Sequence, residues 1–493
     1  TAGTDYTAIS TTSLTFAAGE TSKTIPVTVL GDTVIEVDET VLLNLTNPLN
    51  ATISEAQGTG TMTNDDTSTS QKKSNTSTDS EADNSESQAT GITETLTNTD
   101  GQVEKKALMD NDKLENILKN NDAGATAIIE VKGNVDIATG TLNGQMVKNM
   151  EDKEATLVIQ TESVTYTLPT SEININAISN EFGTNVLLSD IDVSISISKS
   201  SDTMTKIVED VAQDGGFAIV VPSMDYTITC SYGAKEINVN RFNGFVERKV
   251  AIPEDVDPSK ITTGIVVAPD GTIRHVPTRI IQSDGKYYAI INSLTNSTYS
   301  VIWHPVEFSD VADHWAKDAI NNMGSRMIVT GIGDNNYDPN RSVTRAEFAT
   351  IIVRALGLES ESSESGFHDV SVTDWYYDYV KTATTYDIIS GYGDGIFGPN
   401  DLINREQAMT MMVKAMKITN LNISLTTDEA NLLLSSFSDG LSASDYAKDS
   451  IAICLKAGII SGTSETKISP KIGITRAEVA VMIQALLEKS ELI

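Results

Sequence analysis

The chain has 493 residues, enough for several domains, and sets 35 Lys and Arg against 68 Asp and Glu for a formal net charge of −33. That balance excludes nucleic acid as a partner, since a phosphate backbone needs a basic face, and it argues against an anionic membrane surface. An anionic glycan would be repelled at long range too, so only local arginines or bound cations could hold one. The two cysteines, Cys230 and Cys454, lie in different segments and form no disulfide framework, and no stretch is long and apolar enough to span a membrane.

Residues 1–66 read as a half-buried all-β set. Leu14 to Phe16 precedes a Gly19-Glu20 turn, Thr24 to Leu30 alternates with period two, and Val41 to Leu45 and Gly58 to Met62 follow as strands. Thr1 opens in mid-strand with neither methionine nor signal peptide, which reads as a piece of a longer chain. Carboxylates gather at the strand ends. Converging carboxylates repel unless a hard cation joins them; otherwise they are solvated acidic turns. Gly3-Thr4-Asp5-Tyr6, Phe16-x-x-Gly19-Glu20-Thr21, Gly31-Asp32, Asp38-Glu39-Thr40 and Asn64-Asp65-Asp66 resemble the later strands of a Calx-beta domain. The family's opening strand and its calcium-binding glutamate are missing, and Gly31 replaces an acidic residue. The resemblance therefore implies a truncated sandwich that holds Ca²⁺ weakly at Asp5, Asp32, Glu36, Asp65 and Asp66.

Residues 67–100 are Ser, Thr, Asp, Glu and Asn with almost nothing apolar, and are expected to be a disordered linker. Residues 101–305 read as a β-rich α+β spacer, divisible into two subdomains. Helical patterns cover Asp112–Leu118 and Met146–Lys153, and strands cover Ala125–Val131, Ala155–Gln160 and Val164–Leu168. From Val193 onward the pattern is mostly strand, with hairpin turns at Asp270-Gly271 and Asp284-Gly285. No catalytic or nucleotide-binding motif occurs in this segment, and His275, His304, His314 and His368 are dispersed.

The C-terminal region repeats one pattern three times, over 306–360, 361–425 and 426–493. Arg345, Arg405 and Arg476 each follow a proline by six residues, a glycine (Gly331, Gly391, Gly462) by fourteen and a large aromatic (Trp315, Trp375, Tyr446) by thirty. The arginines stand sixty and then seventy-one residues apart, so a short helix is inserted before the third copy. Each copy reads as helix, glycine loop, helix. The first helix opens at Asp313, Thr373 or Ser444, with the three aromatics meeting in the core. The second is started by a capping box: Thr344-x-x-Glu347, Asn404-x-x-Gln407 or Thr475-x-x-Glu478. The arginine then falls at the first helical position, where the helix dipole disfavours a cation. Either it binds an anionic ligand there, or it pairs with the acidic residue of its own copy: Asp310, Asp369 or Asp439.

Phe308-Ser309-Asp310-Val311, the aromatic, the Gly-Asp loop and the Thr-Arg-Ala-Glu box resemble surface-layer homology (SLH) repeats, weakest in the third copy. The resemblance implies an all-α, pseudo-threefold bundle that holds secondary cell-wall polysaccharide, often pyruvylated, between repeats. Arg345, Arg405, Arg476, Asp310, Asp369, Asp439, Trp315, Trp375, Tyr446, Gly331, Gly391 and Gly462 become the candidate contacts. The expected protein is a non-catalytic, secreted one, held at the wall of a Gram-positive-type bacterium, with self-association at the surface left open. A surface hydrolase whose catalytic domain precedes Thr1, or a lattice-forming S-layer protein, are the alternatives.

Overall fold

The computed structural model describes residues 13–16, 25, 39–53, 57–62, 87–98, 101–121, 123–133, 135–359 and 366–493, and the chain divides into two units, Thr1–Ala82 and Asp83–Ile493. In the first unit β1 (Glu39–Asn44) pairs antiparallel with β2 (Gln57–Met62), close to the strands expected there. Leu14 to Phe16, read as strand, is irregular and exposed. Most of the strand expected over 24–30 lies outside the described residues, as do all five candidate calcium ligands: Asp5, Asp32, Glu36, Asp65 and Asp66.

The second unit begins earlier than the composition suggests. β3 (Thr90–Thr97), assigned above to the linker, pairs antiparallel with β4 (Val103–Met109), and Ala89 is fully buried. A Thr-rich edge strand is polar on both faces and so looks like linker, although pairing with β4 satisfies its backbone. The chain continues through α1 (Asn111–Asn120), β5 (Thr126–Glu130), β6 (Ile137–Asn143), α2 (Gly144–Glu151), β7 (Thr156–Gln160) and β8 (Val164–Pro169), near the expected segments except for β6, where no strand was expected. There follow α3 (Ile175–Phe182), β9 (Asp192–Lys199), α4 (Asp202–Gly215), β10 (Ala218–Tyr232), β11 (Lys235–Asn238), β12 (Arg241–Ala251), β13 (Thr263–Val267), β14 (Ile273–Val276), β15 (Thr278–Ser283), β16 (Lys286–Thr295) and β17 (Thr298–Trp303). Helix α4 corrects the strand reading after Val193. Ser201 caps it, Gly216 ends it at φ +67°, and Met204, Val208 and Ala212 share the face that covers Ile265, Val267 and Ile302.

The strands form a nine-stranded sheet, ordered β14-β13-β17-β10-β9-β6-β4-β3 with β11 beside β10, and a six-stranded sheet, β15-β16-β12-β8-β7-β5. One apolar core draws side chains from both, including Ile129, Ile159, Ile195 and Tyr226. The two expected hairpin turns form: Asp284 and Gly285 both take positive φ, the two-residue turn that matches strand twist. Fully buried Arg248 bonds the Val246 and Thr295 carbonyls and Asn296, and lies within 5.1 Å of the rings of Tyr166, Tyr226 and Tyr299.

The C-terminal part is helical throughout, as expected: α5 (Lys317–Ser325) with α6 (Arg345–Ala355), α7 (Tyr377–Thr385) with α8 (Arg405–Ile418), the inserted α9 (Thr427–Ser435), then α10 (Asp445–Ala457) with α11 (Arg476–Lys489). Only α10 starts at its expected cap, Ser444; α5 and α7 begin about a turn late, after Ala316 and Tyr376. No helix among the described residues is long and apolar enough to cross a membrane.

The repeats are seated on the middle β region. Gly357, just past α6, takes φ +61°, and a Cβ there would lie 2.6 Å from the carbonyl oxygen of buried His275. Arg326 donates to the Thr278 carbonyl at 3.0 Å, and Leu294 of β16 joins the helical core. Gly357→Ala should therefore cost about 1–3 kcal/mol through strain and overlap together, read as a lower denaturant midpoint of the whole second unit.

Candidate functional site

All three capping boxes form. The Thr344 hydroxyl accepts from the Glu347 amide at 3.2 Å while the Glu347 carboxylate accepts from the Thr344 amide at 2.9 Å, and Asn404–Gln407 and Thr475–Glu478 do the same. Each box turns the next residue, the arginine, into the neighbouring repeat. Arg345 Nε donates to the Phe397 carbonyl at 2.9 Å and Nη2 to the Ser390 carbonyl at 3.0 Å. Arg405 Nε reaches the Ile468 carbonyl at 2.8 Å, and Arg476 donates to the carbonyls of Tyr337 at 2.9 Å and Thr330 at 2.6 Å. Repeat 1 thus grips repeat 2, repeat 2 grips repeat 3, and repeat 3 grips repeat 1. Backbone bonds close the same ring at its centre: Ile403 N–H donates to the Val343 carbonyl, Ile474 to Ile403, and Val343 to Ile474.

The arginines are 5%, 4% and 7% exposed, so they are interior groups. Burial pulls their guanidinium pKa values down, and nearby Tyr392, Glu478 and Tyr337 respectively push back up. Arg345 lies 4.4 Å from the Tyr392 ring and Arg476 4.2 Å from that of Tyr337. Such faces and carbonyls offset the unfavourable end of the dipole. Nη1 of Arg345 and of Arg476 donates to no described residue, whereas Nη1 of Arg405 meets Glu478 Oε1 at 2.5 Å.

The pairing of each arginine with the aspartate of its own copy does not form. Asp310 instead accepts from the amides of Tyr337 and Asp338, Asp369 from Phe397 and Gly398, and Asp439 from Ile468 and Ser469, at 2.7–3.0 Å. Tyr337, Phe397 and Ile468 are therefore held twice: by an aspartate at the amide and by the preceding repeat's arginine at the carbonyl. The candidate glycines are packing residues. A Cβ on Gly331, Gly391 or Gly462 would come within 2.9 Å of the leading phenylalanine of its copy (Phe308, Phe367 or Phe437). Positive φ falls two residues later, at Gly333 and Gly393.

Trp315, Trp375 and Tyr446 do not meet in the core; they are 69%, 60% and 59% exposed. The residue after each (Ala316, Tyr376, Ala447) is buried in its place, because the chain there is still in the turn or first residues leading into the helix. The middle copy adds a group that the sequence analysis does not single out. Glu406 stands where the sister copies have Ala346 and Ala477. It accepts from the Ser444 amide and hydroxyl at 3.0 Å, the Tyr446 hydroxyl at 3.2 Å and Lys471 at 2.8 Å. Burial and the Glu406 carboxylate push the Tyr446 hydroxyl up to about 12. Cys454 is a buried core thiol, also pushed up to about 12 by burial.

The family profile described as the S-layer homology domain matches residues 307–349, 366–409 and 436–480, one segment for each turn of this ring. The chain carries three S-layer homology domains. A Calx-beta domain matches residues 1–67. Among curated proteins, the chain is 35% identical over 246 residues to an amylopullulanase of Thermoanaerobacterium thermosulfurigenes, covering 50% of this chain and 13% of that protein. It is 39% identical over 198 residues to exoglucanase XynX of Acetivibrio thermocellus, 40% of this chain and 18% of that protein. It is 29% identical over 177 residues to the surface-layer 125 kDa protein of Lysinibacillus sphaericus, 35% of this chain and 14% of that protein. The chain thus spans less than a fifth of the length of each of these relatives.

Two measurements follow from the S-layer homology ring. Arg405→Ala strands Glu478 and leaves a buried carbonyl without its donor, so it should cost about 3–5 kcal/mol in a denaturant titration. Burial raises the Glu406 pKa, but the bonds from Lys471 and Ser444 outweigh it and hold the carboxyl below the usual glutamate range. A pKa lower in the folded state adds stability that is complete above the unfolded value of about 4.3 and is lost as pH falls through the folded one. Glu406→Gln should accordingly flatten the acid limb of the stability–pH curve, seen by comparing melts at about pH 3 and pH 7.

Proposed function

We propose that this chain is the wall-attached end of an extracellular protein of a Gram-positive-type bacterium, anchored without a covalent bond by its three S-layer homology domains. The ligand on this reading is an acidic cell-wall polysaccharide, pyruvylated or similarly charged, lying along the seams between repeats. The observation that carries it is the exposure of Trp315, Trp375 and Tyr446 on a rigid ring whose seams hold the arginines. Large aromatics left in solvent supply flat apolar faces for sugar rings, and a guanidinium with a spare amino group suits a carboxylate. Seams held on one rigid frame add by avidity. The two matched domain types are non-catalytic, so the mechanism is recognition rather than reaction.

The names of the relatives differ in kind, an amylopullulanase and an exoglucanase beside a surface-layer protein. A hydrolase that carries this segment as its anchor is the second reading, favoured by the likeness to the amylopullulanase and the exoglucanase. The anchor reading is tested by sedimenting the chain with purified walls before and after the polysaccharide is chemically stripped. Binding should vanish with the polysaccharide; binding that survives stripping would overturn it. Trp375→Ala, at an exposed position, should leave the melting temperature unchanged while weakening wall binding by about 2 kcal/mol.

A further inference from the structure

The three seams are built from the same parts, but their charges are not arranged alike. The capping-box acid of each repeat follows the arginine of the preceding repeat around the ring. At Arg405 that acid is Glu478, whose Oε1 meets Nη1 at 2.5 Å. At Arg476 it is Glu347, whose carboxylate is drawn instead to Arg341 at 2.7 Å. At Arg345 the equivalent residue is Gln407, which has no charge and keeps its oxygen on the Asn404 amide at 3.1 Å. The consequence appears in the guanidinium groups themselves. Arg345 and Arg476 are each more than nine-tenths buried, with Nε and Nη2 committed to carbonyls and Nη1 without a described partner, whereas Arg405 is satisfied at all three nitrogens.

We propose that the seams are unequal by construction: those at Arg345 and Arg476 take the ligand's carboxylate, while Glu478 already fills that role at Arg405 and closes it. This rests on the acidic-polysaccharide reading above. Two features then set which seam is open: glutamate or glutamine at the third helical position, and, where it is glutamate, whether an arginine of its own repeat draws the carboxylate away, as Arg341 does with Glu347. Neither residue disturbs folding, because repeat 2 is capped by glutamine and repeats 1 and 3 by glutamate. Around the Arg345 seam, Glu406 is tied up by Ser444, Tyr446 and Lys471, so its charge is balanced locally.

The test uses the full chain and, as probe, a methyl hexoside carrying a 4,6-linked pyruvate ketal. Tyr446 is electrostatically coupled to Arg345; the threefold repeat assigns the equivalent Trp375 to the Arg476 seam and Trp315 to the Arg405 seam. The indole N–H resonances of these two tryptophans report their seams separately, and Trp303, in the middle β region, serves as the internal control. In the unaltered chain the probe should move Trp375 and leave Trp315 still. Glu478→Gln should make Trp315 respond, and Gln407→Glu should weaken the remaining binding at the Arg345 seam by about tenfold, read from the Tyr446 ring signals. Unchanged melting temperatures check that both variants fold. A Trp315 that responds in the unaltered chain as Trp375 does, or stays still in Glu478→Gln while Trp375 responds, overturns the inequality. A probe that moves neither tryptophan nor Tyr446, in a chain that still sediments with walls only when the polysaccharide is present, overturns the carboxylate assignment but leaves the anchor reading standing. Loss of sedimentation as well overturns the anchor reading.

Discussion

A helix start is a poor place for a cation, yet each repeat puts an arginine there. The position is tolerable because the guanidinium is not at the end of its own helix in any useful electrical sense: it is inside the next repeat, bonded to carbonyls and, for Arg345 and Arg476, against an aromatic ring. Those carbonyls belong to residues whose amides an aspartate already holds. One peptide segment in each loop is thereby fixed from both sides, by its own repeat and by its neighbour. Loop, helix start and interface thus depend on one another, and the buried residues of the three repeats form one continuous core.

The helical architecture was open to reading because its signals are local. Capping boxes, a glycine that leaves room for a phenylalanine, and fixed spacings all survive as short words in the sequence. The direction of the arginines was not, because it depends on closure between residues more than fifty positions apart, such as Arg476 and Tyr337. Spacing tied Arg345 to Asp310 as readily as to Phe397, and only the packed ring separates these. The aromatics failed for a smaller reason: counting helical turns from Trp315 assumes that the helix has already begun. Helix α4 leaves a weak signal in the sequence because Met204, Val208 and Ala212 sit between strand patterns and cover only a short stretch of sheet. Glu406 was visible as a departure from Ala346 and Ala477, but its partners come from the third repeat and could not be named in advance.

The middle β region does more than precede the helices. Its β14 strand and the turn after β17 press against α6 and α5 so closely that Gly357 has no room for a side chain. The carbonyl of His275 lies against that glycine, and its imidazole is buried, bonded to Thr263 and held well below the ordinary histidine range by burial and by Arg326. A contact of this kind fixes an angle. The β region and the helical ring meet as one body, in contrast to modules strung on a flexible tether.

Closure of the ring also decides how the anchor bears tension. In an open row of three units, a pull on the first is passed to the second and then the third, and the weakest join limits the whole. Here the chain enters at the first repeat, which is joined to the second through Arg345 and to the third through Arg476. A load arriving from the β region is divided between two joins at once, so both must part before the repeat comes free.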